Sequence, residues 1–295
     1  MHLVQITILA VIQGLAELLP ISSSAHVIYV QRLMGLDPGS PEMTFLLVML
    51  HTGTMFSVLV YFWPRWRRHL WPEVPADPAG GAGTWAFLQA LLLATVCTGV
   101  LGLGLKVVIE RVILEGMLGH PHGEVEELFR YQPLIAAALL TAGILIIAAG
   151  VWAKESKTAT LDPLRAVAIG LIQGLCLPFR GFSRSGATIS TALFLGIRRD
   201  VAEDFSFALA VLLTPPVIVL EFRRLLKASG PHAATGSGLA ALALPGLLGM
   251  AASFLAGLMA LGWLSSWLER GRWLYFGYYC VFFSIVVFMN YQLGR

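Results

Sequence analysis

The chain is poor in charge: of its 295 residues only 13% are Asp, Glu, Lys or Arg, about half the proportion of an ordinary soluble domain. That scarcity, beside 57% hydrophobic residues and a mean hydropathy of +0.76, excludes a water-soluble globule and leaves a polytopic membrane protein. Cysteine is also scarce. Cys97, Cys176 and Cys280 are isolated among apolar neighbours, without the paired spacing of a disulfide framework, a thiolate metal site or a redox motif. The first residues, Met1-His2-Leu3-Val4-Gln5, lack the basic start and small-residue cleavage site of a signal peptide, so the N-terminus is expected to be retained. A net charge of +3, spread over loops, offers no basic stripe for nucleic acid.

Long apolar runs are what the chain has instead. Crossing a bilayer as a helix takes about 20 such residues. Six segments qualify: 44–63, 84–105, 133–152, 203–221, 238–262 and 273–290. Two further apolar regions are each broken near the middle by proline and a polar cluster, giving pieces 3–19 and 24–35, then 164–177 and 185–196. At about 1.5 Å per residue the second piece of each is too short to span. Proline cannot continue the helix before it, so each region is expected to be a re-entrant hairpin of two half-helices, tolerated where it is buried in protein or lines a wet cavity.

Ile12-Gln13-Gly14-Leu15 recurs as Ile172-Gln173-Gly174-Leu175, an offset of 160 that also pairs Phe45 with Phe205 and Phe62 with Phe222. The expected fold is therefore all-α and duplicated, with one copy over 1–152 and the other over 160–295. Each copy holds one hairpin and three spans. Three is odd, so the second copy enters from the opposite side: an inverted repeat with its two polar clusters meeting near the midplane. Loops 64–83, 153–165, 197–202 and 269–272 carry ten Lys or Arg, and the other side carries eight, which places the first set in the cytoplasm and both termini outside. The run 72–83 reads as a linker. His120, His122 and Glu124 have a spacing open to metal, with a solvated loop the commoner outcome.

The chemistry lies in the two breaks. In Gln13-Gly14-Leu15-Ala16-Glu17-Leu18-Leu19-Pro20-Ile21-Ser22-Ser23-Ser24-Ala25-His26, Gln13 and Glu17 share a helix face, and the serines open the next half-helix. Such an N-terminus, aimed into the membrane, favours an anion. His26 lies three residues after Ser23 and four after Ser22, within reach of either hydroxyl, and a base beside a hydroxyl can activate a nucleophile. In Pro178-Phe179-Arg180-Gly181-Phe182-Ser183-Arg184-Ser185-Gly186-Ala187-Thr188 the same logic gains a cation. Arg184 offers a permanently charged fork for phosphate oxygens, Gly186 admits close backbone approach, and Ser183, Ser185, Thr188 and Arg180 stand by. A plain ion pair between Glu17 and Arg184 is the alternative, but burying both charges costs several kcal/mol per ion before pairing. His51, Thr52 and Asp204 rank second as cavity-lining residues, with interhelical hydrogen bonding as the alternative.

At these residues the chain resembles the undecaprenyl pyrophosphate phosphatase family, integral-membrane enzymes also described as bacitracin-resistance proteins. Gln13, Glu17, Pro20, Ser22, Ser23, Ser24 and His26 match its first motif, Ser183, Arg184, Ser185, Gly186 and Thr188 its second, and Phe205-Ser206-Phe207 a third stretch. Three features depart from the pattern: the two-residue extension at Pro178–Gly181, a longer Leu212-Leu213-Thr214-Pro215-Pro216 stretch, and Ala25 where glycine is usual.

The resemblance implies hydrolysis of a C55 isoprenoid pyrophosphate on the outer face of the bacterial inner membrane. It also implies a divalent metal, Mg²⁺ or Ca²⁺, bridging Glu17 and the pyrophosphate. In that reading Glu17, Ser23, His26 and Arg184 are catalytic, and Gln13, Ser22, Ser24, Arg180, Ser183, Ser185, Gly186 and Thr188 bind substrate. Partners are then the polyprenyl pyrophosphate and membrane lipid, with no nucleic acid and a homodimer left open. A secondary transporter or flippase of lipid phosphate is the other function such broken helices accommodate.

Overall fold

The structure, a computed structural model, describes residues 2–37, 40–70, 84–117, 131–153, 161–228 and 237–293. All regular elements among them are helical: α1 Leu3–Leu18, α2 Ser23–Leu33, α3 Pro41–Leu70, α4 Thr84–Val107 with a π-helical continuation Val108–Met117, α5 Gln132–Trp152, α6 Pro163–Cys176, α7 Arg184–Phe194, α8 Arg199–Ala228, α9 Ser237–Glu269 and α10 Leu274–Gln292. Six of them are long and apolar enough to cross a membrane, over Met43–Arg67, Thr84–Gly116, Gln132–Trp152, Arg199–Leu220, Ala243–Glu269 and Leu274–Gln292. The shorter helices α1/α2 and α6/α7 fall where proline interrupts the apolar runs. Large apolar side chains stand exposed along the long helices, among them Trp85, Leu92, Val100 and Leu103 on α4 and Tyr278, Phe282 and Met289 on α10, as lipid-facing surfaces require.

Three predicted loops are shorter than expected. Helix α3 continues through Pro64 to Leu70, so Arg65 and Arg67 sit on a helix rather than in a loop from 64. Arg65 is fixed there by two carboxylates, which offsets the ladder hydrogen bond that proline omits. The segment expected to be loop from 106 stays helical to Met117, and α8 begins at Arg199. Helix α8 also runs unbroken past Pro215 and Pro216. Linker 72–83, the possible metal trio His120, His122 and Glu124, and residues Lys154 and Lys157 lie outside the described residues.

The chain divides into two compact units. Unit 1 comprises Met1–Leu19, Ser23–Pro64 and Ala210–Leu264; unit 2 comprises Pro20–Ser22, Arg65–Leu209 and Ser265–Arg295. In unit 1, Ile6, Leu9 and Ala10 of α1, Val27 of α2 and Met43, Leu46 and Leu50 of α3 form one buried cluster. Helix α9 closes on α1 and α3 at backbone distance: a methyl group added at Gly53 would lie 2.3 Å from the Met250 carbonyl oxygen, and one at Gly14 2.6 Å from that of Ser253. Hydroxyls seal the same seam, Ser57 donating to the Phe254 carbonyl at 2.7 Å and Ser253 to that of Leu50 at 2.8 Å. Small residues and hydroxyls are what hold helices together where lipid removes the hydrophobic drive.

Unit 2 is built by the same rule. Helix α4 packs along α6, and α5 along α10. Thr98 Oγ1 donates to the Gly170 carbonyl at 2.9 Å and accepts from Gln173 Nε2 at 3.1 Å. Trp273, almost fully buried, donates through its indole N–H to Ser190 on α7 at 3.1 Å.

Candidate active site

In unit 1 the first polar cluster is assembled by the break after α1. Leu19 leaves the helix at φ −74°, ψ 150°, the extended conformation imposed on a residue before proline. Beyond Pro20 the chain reverses through Ser22, the one non-glycine among the described residues at positive φ, 68°. The left-handed position therefore falls on Ser22. Ala25, which stands where the resembled family usually has glycine, lies inside α2, a conformation alanine favours.

Helix α2 begins at Ser23 and delivers that side chain back to α1. Ser23 Oγ donates to Glu17 Oε2 at 2.5 Å, and Gln13 Nε2, one turn earlier on α1, donates to the same oxygen at 3.0 Å. From α3, His51 Nε2 reaches within 3.7 Å of it. His51 is itself held at its other nitrogen, Nδ1 lying 2.8 Å from the Leu47 carbonyl oxygen, which can only accept. Nδ1 therefore donates to it, and Nε2 is the nitrogen that faces Glu17. His26 is buried on α2, one turn after Ser23, with Ser24 beside Ser23 at the helix start. Thr52, ranked with His51 from sequence, spends its hydroxyl on the Val48 carbonyl of its own helix at 2.8 Å.

In unit 2 the second cluster opens α7. The Pro178–Gly181 extension, which carries Arg180, ends on Gly181 at φ 102°, and a methyl group there would stand 2.5 Å from the Ile135 carbonyl oxygen. Only glycine fits both the left-handed backbone and the approach to α5. Ser183 then caps α7 by accepting from the Gly186 amide at 3.2 Å. Arg184 is the first helical residue, followed by buried Ser185 and Gly186. Thr188 Oγ1 lies 2.9 Å from the Arg184 carbonyl and 2.6 Å from Ser206 Oγ, so its fully buried hydroxyl ties α7 to the Phe-Ser-Phe stretch of α8.

One cluster in unit 2 was only partly read from sequence: Asp204 was ranked second as a cavity-lining residue, and its grouping with Glu203 and Arg65 was missed. Arg65 Nη1 bridges Glu203 Oε2 at 3.0 Å and Asp204 Oδ1 at 3.2 Å, and Ser265 donates to Glu203 Oε1 at 2.5 Å. The adjacent carboxylates, within an apolar run, were the available signal. Their partner was hidden because Arg65 follows a proline and was assigned to a loop.

Among the described residues no three His, Cys, Asp or Glu side chains gather into a metal cage. An ion at Glu17 would depend on substrate oxygens for much of its coordination.

The family model described as "Bacitracin resistance protein BacA" matches residues 6–286. The chain is 55% identical to undecaprenyl-diphosphatase 2 of Acinetobacter baylyi, over 97% of both chains. It is 32% identical to an undecaprenyl-diphosphatase of Korarchaeum cryptofilum, over 97% of this chain and 98% of that one. Identity is 33% to the undecaprenyl-diphosphatase of Desulfatibacillum aliphaticivorans, over 95% of each.

Proposed function

Since the chain belongs to the bacitracin resistance protein BacA family, we propose that it removes the terminal phosphate of undecaprenyl pyrophosphate, releasing undecaprenyl phosphate and inorganic phosphate. The observation that carries a mechanism is the short contact from Ser23 Oγ to Glu17 Oε2, 2.5 Å, where α2 turns back on α1. A serine hydroxyl is a weak nucleophile until a base takes its proton, and here a carboxylate already accepts it. Gln13 holds that carboxylate in place from one turn away.

In the proposed reaction Ser23 Oγ attacks the terminal phosphorus and its proton passes to Glu17. The phosphoanhydride bond breaks and the lipid monophosphate departs. Water then attacks the phosphoseryl group, giving inorganic phosphate and restoring Ser23. Arg184 and the N–H groups opening α7 take the charge that accumulates on the transferring phosphoryl group. Ser22, Ser24, Arg180, Ser183, Ser185, Gly186 and Thr188 bind or frame the pyrophosphate, and buried His26 is the second base. Glu17 would hold the divalent ion: the two oxygens of a carboxylate offer about four acceptor positions, enough for a cation alongside the Ser23 bond. Bound there, Mg²⁺ or Ca²⁺ would offset pyrophosphate charge.

The short pairs α1/α2 and α6/α7 are read as re-entrant hairpins of an inverted repeat. The enzyme then sits in the bacterial inner membrane with its site opening to the periplasm. The internal Gln-Gly echo and the proline breaks support that topology.

The test is phosphate release from C55 pyrophosphate by detergent-purified protein. Ser23→Ala should lower release about a thousandfold or more, as loss of a nucleophile does elsewhere, and acid quenching of wild type should trap phosphate on Ser23. Release without a trapped phosphoserine, with Ser23→Ala still active, would transfer the attack to water. Well-folded wild type that binds the lipid without releasing phosphate would favour a transporter.

A further inference from the structure

We propose that a recess in unit 2, at the end of α7 remote from Arg184, holds the phosphate of an acidic membrane phospholipid, with Arg199 as its cation. The site is separate from the proposed reaction and takes a lipid that is bound rather than hydrolysed.

Four span ends place the recess at a membrane surface. The span of α5 ends at Trp152, that of α8 starts at Arg199, that of α9 ends at Glu269 and that of α10 starts at Leu274. Ala153, Leu193, Ile197, Arg199, Gly271 and Trp273 line the space where these ends meet. Trp152 and Tyr275, both exposed, stand at the same ends, and such aromatic side chains settle at the level of lipid headgroups.

The charge in the recess is uncompensated. A guanidinium carries five N–H donors. Arg199 gives one through Nη1 to the Glu269 carbonyl at 3.2 Å, which caps α9 and leaves the others for a ligand. Among the described residues no carboxylate pairs with it. Asp200, its neighbour in sequence, is held instead by Arg198, whose Nε donates to it at 2.8 Å. Gly271, at φ 69°, brings the turn between α9 and α10 against the guanidinium: a methyl group there would sit 3.5 Å and 3.7 Å from its two terminal nitrogens. Helix α10 opens from this turn without a side-chain cap, which adds the positive end of a helix to the same place.

The apolar surroundings select a lipid over a free anion. Tyr275, Tyr278, Phe282, Ile285 and Met289 are all exposed and recur three or four residues apart on α10, so they form one stripe running from the recess into the bilayer. An acyl chain attached to a phosphate at Arg199 lies along that stripe. The headgroup is acidic because a zwitterionic one brings its own cation, and the nearby acid, Asp200, is already engaged by Arg198. Basic pockets between membrane helices bind acidic headgroups in this way.

The experiment is native mass spectrometry of the full-length protein in a nonionic detergent, titrated with phosphatidylglycerol or with phosphatidylcholine of the same acyl chains. Wild type should hold one phosphatidylglycerol about fivefold or more tightly than phosphatidylcholine, the weight of one arginine at a membrane surface. Arg199→Gln, which keeps a donor for the Glu269 carbonyl, should erase that preference. Arg199→Lys should keep most of it, and Arg111→Gln, an exposed arginine outside the recess, should bind as wild type.

A headgroup-photoactivatable phosphatidylglycerol locates the lipid on unaltered protein and should label residues 269–273. Equal binding of the two lipids by wild type would overturn the proposal. So would a preference that survives Arg199→Gln, labelling confined to other segments, or displacement of the lipid by a millimolar excess of inorganic phosphate, which would make the recess a site for the free ion.

Discussion

Removing Arg65 should expose how unit 2 tolerates two adjacent acids in an apolar setting. Glu203 and Asp204 are 2% and 7% exposed, and the Arg65 guanidinium reaches both. In Arg65→Met one carboxylate keeps the Ser265 hydroxyl, but both lose their counter-charge. Breaking a buried pair by deleting one partner costs about 3–5 kcal/mol. The Arg65 side chain is 26% exposed, so water already screens part of the attraction and about 2–4 kcal/mol is the fitting expectation. At roughly 2 °C or more per kcal/mol for a chain this long, the midpoint should fall by roughly 5 °C or more.

Buried Cys176 and Cys280 supply the assay. A thiol-reactive fluorogenic maleimide reports their exposure as detergent-solubilised protein is heated. The triple variant Arg65→Met, Glu203→Gln, Asp204→Asn removes the stranded charges and should recover most of the loss. A single Arg65→Met variant melting within about 1 °C of wild type, or a triple variant no better than the single, would refute the account.

Three further outcomes follow from the geometry. Thr188→Val should cost about 1–3 kcal/mol by stranding the buried Ser206 hydroxyl, and adding Ser206→Ala should return part of it in the same melting assay. Gly53→Val should destabilise by at least about 1–3 kcal/mol, because its first side-chain carbon meets the Met250 carbonyl and pushes α9 from α3; a neutral result would show that the seam can open. Stripping divalent ions with EDTA should abolish phosphate release, and adding back Mg²⁺ or Ca²⁺ should restore it, as read by phosphate appearance against ion concentration.

Much of the helical layout was legible because it rests on composition and on proline. Apolar runs of about 20 residues announce spans, and Pro20 and Pro178 announce breaks, since the missing N–H acts locally. Glu17, Gln13 and Ser23 were legible as one group for the same reason: helix periodicity and a short bend bring together residues close in sequence. His51 was only half legible. Its distance from Glu17 depends on how α3 lies beside α1, which no local pattern encodes. Ser22 as the left-handed residue was missed because serine gives no signal for positive φ. Pro64, Pro215 and Pro216 show the limit of the proline rule: each sits inside a long helix, where the surrounding helix outweighs one lost hydrogen bond.

The order in which the chain is made has a consequence for unit 1. Leu50 and Ser253, which bond across the seam between α3 and α9, are 203 residues apart in sequence. A ribosome adding about 5–20 residues per second needs roughly 10–40 s to cover that interval. Through that time α1 and α2 have been made but lack the helix that covers Gly14 and Gly53. The nascent N-terminal segment must wait, with the Gly14 and Gly53 faces unpacked, for its last partner to emerge.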